Sequence, residues 1–252
     1  MRIASLTLDG GVLLLLAPVI GSFLGVVIRR LPDGRELLWS RSRCEACGTG
    51  LTARDLVPLL SWMAARGRCR RCGSALGWFY PGVEVAALAV AGIAIFVDGM
   101  PGAWLDCLLG WWLLVLGWID LRCWLLPDIL TLPLIVAGLV AAALFDRADL
   151  ADRALGAVLG YAALRAVAAG YQALRGREGL GGGDAKLLSA AGAWLGVMAL
   201  PQVVFAAASA GLVAAGALRL GGIRLHAQSA LPFGPFIALA TWSIWLFGPI
   251  SW

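Results

Sequence analysis

The chain has 252 residues, 61% of them hydrophobic and 14% charged, with a mean hydropathy of +0.86. A soluble domain carries roughly 25% charged residues, so this composition excludes an ordinary water-soluble fold and makes lipid the solvent for most of the chain. The net charge of +5 is concentrated: from Arg29 to Cys72 ten arginines face four acids (Asp33, Glu36, Glu45 and Asp55), which leaves that stretch at +6 and the remainder at −1. A basic block confined to one loop reads as a cytoplasmic loop of a membrane protein, and no nucleic-acid partner is expected from it.

The first element, residues 11–28 (GVLLLLAPVIGSFLGVVI), is free of charge and long enough to span. The positive cluster follows this run instead of preceding it, so the segment reads as an uncleaved span with its N-terminus outside. Residues 30–79 form a polar insertion. Further apolar segments follow at about 83–97, 103–119, 129–145 and 154–174. The stretch 187–218 has no charge over 32 residues, too long for one span, and Pro201 divides it. A last segment covers about 231–250. The expectation is an all-α polytopic membrane protein of about eight transmembrane helices, divided into a first helix (1–29), a cytoplasmic insertion (30–79) and a membrane core of about seven helices (80–252). Alternating the spans puts Arg29–Arg71, Asp120 and Arg122, Arg175, Arg177 and Lys186, and Arg219 and Arg224 on one side. The loops at Asp98 and at Asp146–Arg153 fall on the other. No fixed-period repeat is evident.

Two constellations carry chemistry. Cys44-Glu-Ala-Cys47 and Cys69-Arg-Arg-Cys72 are a pair of C-x-x-C knuckles. Cytoplasmic thiols stay reduced, and four thiolates at this spacing close a tetrahedral shell around zinc. A closed shell has no open position for water, so the metal is structural. The second constellation is Asp120, in GWIDLRC, and Asp184, in GLGGGDAKLL, both at the predicted cytoplasmic ends of helices. Two carboxyls brought together share a proton, one acting as general base for water and the other as acid. Gly181-Gly182-Gly183 leaves backbone room for an extended substrate, and Gly181, Gly183, Lys186 and Asp128 support this site. Asp128, after Pro127, also reads as a first-turn acid of its helix. Glu84 is either functional or interfacial. His226 is the single histidine, which leaves a Ser–His–Asp triad hard to build.

GSFLGVVIRRLP at 21–32, the paired C-x-x-C loop, FYPGVE at 79–84, D(x6)PD at 120–128 and GGGDAK at 181–186 together resemble the type IV prepilin peptidases, within the GxGD class of intramembrane aspartic proteases. The resemblance runs through most of the chain, and in order. It implies cleavage of basic leader peptides from type IV prepilins and type II secretion pseudopilins at the cytoplasmic face of the bacterial inner membrane. The catalytic aspartates then map onto Asp120 and Asp184. It also implies N-methylation of the new N-terminus with S-adenosylmethionine, whose site the sequence does not locate. Gly25 stands where many members have asparagine. Asp128, Glu178 and lipid headgroups are the candidates to receive the basic leader. The alternatives are an ion-coupled transporter using the two aspartates, or an assembly factor binding partners through its zinc loop.

Overall fold

The computed structural model describes residues 8–37, 42–145, 147–176, 181–222 and 231–249. Asp146, Arg177, Glu178, Arg224 and His226 lie outside the described residues. Helices make up nearly all regular structure, and the only β-pairing among the described residues is two isolated bridges, Arg43 with Gly50 and Arg68 with Ala75.

Apolar runs in lipid must satisfy every backbone polar group internally, which leaves the helix as the local solution. Eight helices stand where eight were expected: α1 (Leu8–Arg30), α3 (Phe79–Val97), α4 (Ala103–Cys123), α5 (Asp128–Phe145), α6 (Leu150–Arg175), α7 (Gly182–Leu195), α8 (Leu200–Leu220) and α9 (Gly234–Phe247). A short α2 (Leu60–Ala64) lies in the polar insertion. Six helices (α1, α3, α4, α5, α6 and α8) are long and apolar enough to cross a membrane; α7 and α9 have 14 residues each. In α1, Asp9 in the first turn and Arg29 and Arg30 in the last complement the helix dipole. α6 stops at Gly176, a left-handed C-cap with φ 67°.

α7 starts earlier than the hydropathy pattern indicates. Its apolar run begins at Leu187, yet the helix opens at Gly182 and takes Asp184 into its first turn. Three glycines weigh against helix on propensity. Packing of the first turn against Leu126, only 2.8 Å from where a Cβ on Gly183 would stand, outweighs that cost.

The chain divides into two compact units, Met1–Val115 and Leu116–Trp252, with the boundary inside α4. In unit 1, α1 lies along α3, and the Trp111 Nε1 donates to the Ala87 carbonyl at 2.9 Å, tying α4 to α3. In unit 2, α7 is the central helix, in contact with α5, α6, α8 and α9. It is buried without a break from Leu187 to Trp194, as a helix surrounded by others must be. Its polar groups are satisfied by neighbours: Ser189 Oγ donates to the Ala157 carbonyl at 2.8 Å and Trp194 Nε1 to the Leu134 carbonyl at 2.9 Å. The α6–α7 contact is backbone on backbone, because Gly156 and Gly160 of α6 face Gly192 and Leu188 of α7.

Candidate active site and metal centre

Unit 2 brings Asp120 and Asp184 together. Asp120 lies in the last turn of α4 and is 6% exposed; Asp184 is the third residue of α7 and 9% exposed. Each carboxylate meets the N-terminus of a helix. Asp120 Oδ2 accepts the Gly234 N–H at 3.0 Å, at the first residue of α9. Asp184 accepts the N–H of Gly181, the N-cap of its own helix. Free N–H groups and the positive end of the helix dipole suit an anion. The charge of Asp120 also reaches Asp184. Two buried acids within electrostatic reach of each other are an arrangement in which two carboxyls can share one proton. Such a pair can activate water with one carboxyl and protonate a leaving group with the other.

The supporting residues lie around that pair. Gly181 is extended at φ −69°, ψ 143°, which turns the chain into α7, and its carbonyl accepts the Asp184 N–H at 3.2 Å. Asp128 is in the first turn of α5, as its position after Pro127 implies. It also forms an ion pair with Lys186, a contact across 58 residues that sequence reasoning missed. The pair pins the first turn of α7 to the start of α5.

Unit 1 brings the four cysteines together. Their sulfurs all lie within 4.8 Å of one another, and Cys44 and Cys72 are 3.9 Å apart. A tetrahedron with Zn–S arms of about 2.3 Å has edges of about 3.8 Å, so the donor set fits a closed four-sulfur shell. The two knuckles are copies of one turn. Gly48 N–H donates to the Cys44 carbonyl and Gly73 N–H to the Cys69 carbonyl, both at 2.9 Å. Both glycines have positive φ, 68° and 73°, which side-chain-bearing residues resist. Residues 43–51 and 68–76 (RCEACGTGL and RCRRCGSAL) therefore form an internal repeat that the sequence reading passed over. The backbone N–H groups of Cys47 and Ala46 pull the Cys44 thiol down to about 6, and the Ser74 hydroxyl and N–H lower Cys72. Cys69 is approached by the N–H groups of Cys72 and Arg71, but burial and the neighbouring thiols hold it above its ordinary value. Four sulfurs so placed cannot all be anionic without a cation among them.

Above this centre unit 1 holds a cavity of about 1330 Å³, lined by Ser22, Arg29, Tyr80, Glu84 and residues of both knuckles. The Tyr80 ring fills the room beside Gly25, its Cδ1 2.8 Å from where a Cβ there would stand. Glu84 is 5% exposed. Its position in an apolar helix is the signal that singles it out in the sequence. Asp106, in the first turn of α4 and 3% exposed, gave the same signal in WLDCLL and was passed over.

Two family descriptions match the chain: the bacterial peptidase A24 N-terminal domain over residues 15–97 and the type IV leader peptidase family over residues 107–216. Proteins named prepilin leader peptidase/N-methyltransferase are similar over nearly the whole length. One from Burkholderia pseudomallei (strain 1026b) is 40% identical, covering 93% of this chain and 84% of its own. One from Aeromonas salmonicida (strain A449) is 39% identical over 91% and 88%. One from Dickeya chrysanthemi is 42% identical over 90% and 89%. No solved structure matches.

Proposed function

We propose, for a chain that belongs to the type IV leader peptidase family, that Asp120 and Asp184 are the catalytic pair of a membrane aspartic endopeptidase. It removes the leader peptides of type IV prepilins and type II secretion pseudopilins and N-methylates the new N-terminus. The observation that carries the peptidase half is the pair itself: two buried acids, electrostatically linked, each lodged at a helix N-terminus. One carboxylate takes a proton from water as the water attacks the scissile carbonyl. The other gives a proton to the departing amine.

In this reading residues 30–79 form a cytoplasmic domain held by structural zinc on Cys44, Cys47, Cys69 and Cys72. The N-terminus lies outside the inner membrane, and the pair faces the cytoplasm. Gly181, Gly183, Asp128 and Lys186 position Asp184. The apolar helix of the pilin reaches the site from the bilayer, with anionic lipid helping to hold the basic leader.

The test is cleavage of a prepilin in proteoliposomes, read by the shift in size on a gel. Asp120→Asn and Asp184→Asn should each lower the rate by about 10²–10⁴-fold, the range of general acid–base catalysis, with the protein still inserted. Near-normal cleavage by either variant rejects the pair.

A further inference from the structure

The cavity in unit 1 carries an unbalanced charge. Eight arginines line it against three acids, Glu45, Asp55 and Glu84. Each acid is already engaged. Glu45 pairs with Arg29 and Asp55 with Arg70. Glu84 Oε2 accepts the Leu59 N–H at 2.8 Å, and the Ser22 hydroxyl also bonds to that carboxylate. Arg54, Arg68 and Arg71 line the same wall and pair with no acid among the described residues. A zinc ion on four thiolates would return two negative charges, which offsets less than half of the excess of five. Like charges gathered in one concave wall focus a potential that draws in a counter-ion.

The arginines come from two parts of the unit. Arg29 and Arg30 end α1, a helix long and apolar enough to cross a membrane. Arg43 and Arg68 hold the same position in the two knuckles, each fixed by its β-bridge, to Gly50 and to Ala75. The Arg29 guanidinium lies over the rings of Phe79 at 4.7 Å and Tyr80 at 5.1 Å, which holds its plane. Its Nε is buried and meets no acceptor among the described residues. A buried donor left unmet is unusual, and a phosphate oxygen is an acceptor that a guanidinium matches in shape and charge.

The lining also distinguishes a lipid phosphate from a soluble one. Val26 and Ser22 continue the Arg30 face of α1, one and two turns back into its apolar run, and both line the cavity. From Arg30 to Ser22 the cavity therefore follows the helix for about 12 Å. A soluble anion does not fill that extension, whereas the glycerol and first acyl carbons of a phospholipid do.

We propose that this cavity binds the phosphate of an anionic phospholipid, held by Arg29 of α1 and by Arg43 and Arg68 of the knuckles, with its chains directed along α1. Because those arginines belong to both parts of the unit, the bound phosphate fastens the four-cysteine insertion to the lipid surface. The assignment does not depend on the roles of Asp120 and Asp184.

The test is binding to the purified, metal-loaded full chain in detergent, titrated by native mass spectrometry. The probes are dioctanoyl phosphatidylglycerol, which is anionic, dioctanoyl phosphatidylcholine, which is zwitterionic, and glycerophosphoglycerol, the anionic headgroup without chains. Wild type should bind phosphatidylglycerol at least about 10-fold more tightly than either of the others. Arg29→Gln and Arg68→Gln should each weaken phosphatidylglycerol about 10-fold, the loss of one hydrogen bond to a charged group, and change phosphatidylcholine less than about 3-fold. Arg66→Gln removes the same charge from the same insertion at a position that does not line the cavity, and it should bind as wild type does. A loss in Arg66→Gln as large as in Arg68→Gln would reduce the effect to diffuse surface charge and overturn the proposal. Unchanged affinity in both cavity variants overturns it, as do equal wild-type affinities for the two lipids. Glycerophosphoglycerol binding as tightly as the lipid overturns it in favour of a soluble anion. Arg68 is exposed, so its substitution removes no packing, and the comparison of probes on wild type stands even where Arg29→Gln does not fold.

Discussion

Gly160→Ala tests whether the α6–α7 interface sets the position of Asp184. A Cβ on Gly160 would stand 2.6 Å from the Leu188 carbonyl oxygen and 3.0 Å from its carbon. An ordinary carbon–oxygen approach is about 3.3–3.6 Å, so α7 must withdraw by roughly 0.7–1 Å. The obstruction is backbone, and no change of rotamer relieves it. Leu188 is about one turn from Asp184, so the shift reaches the carboxylate almost undiminished. Overpacking of this kind costs about 1–3 kcal/mol of stability, and misplacing a reacting group by about 1 Å costs about 10²-fold in rate. The control is Gly170→Ala on the same helix, where a Cβ meets nothing within 4 Å. Initial rates of leader removal in proteoliposomes, at matched enzyme levels and with thermal unfolding of each variant, compare the two. Gly160→Ala should fall about 100-fold and Gly170→Ala should match wild type. A Gly160→Ala enzyme cleaving at the wild-type rate would refute the idea that this contact fixes the site.

Elemental analysis should find about one zinc per chain. Cys44→Ser should release it and alter the fluorescence of the adjoining Trp62 and Trp78, whose ring centroids are 4.2 Å apart, because the binding energy of such a site is folding energy; wild-type protein free of thiophilic metal would sink this assignment. Leader removal should suffer less than methylation in that variant. Asp128→Asn should reduce cleavage less than about 10-fold, since its ion pair with Lys186 is partly exposed and such pairs contribute at most about 1 kcal/mol; a loss as deep as that of Asp120→Asn would make Asp128 part of the chemistry. A soluble leader peptide without the apolar pilin segment should be cleaved far less efficiently than full-length prepilin in the same vesicles, and comparable rates would show that substrate does not arrive through the bilayer.

The six long apolar helices were legible because each apolar run had to close its own backbone hydrogen bonds in lipid. The four-cysteine cluster was legible for a different reason: C-x-x-C spacing writes half a tetrahedron into four consecutive residues. What the sequence hid was pairing at a distance. Nothing near Lys186 names Asp128, and nothing in the glycines of α6 says that Gly192 is their partner. The start of α7 was misplaced because local propensity at Gly181–Gly183 opposes helix, while the contact that overrides it comes from Leu126. Asp120 and Asp184 stood out as acids beside apolar runs. The helix N-termini that receive them had to be seen in three dimensions.

The two 14-residue helices, α7 and α9, are the two whose N-termini meet the carboxylates. At 14 residues and 1.5 Å per residue, α7 and α9 are each about 21 Å long, against a hydrocarbon layer of about 30 Å. If α7 and α9 stand in the bilayer as the sequence pattern expects, the shortfall of about 9 Å is one that lipid covers by thinning or water fills. On the proposed assignment of Asp120 and Asp184, bilayer thickness becomes a variable of the reaction: short-chain lipids should bring the headgroup level down to the two acids, and long-chain lipids should bury them.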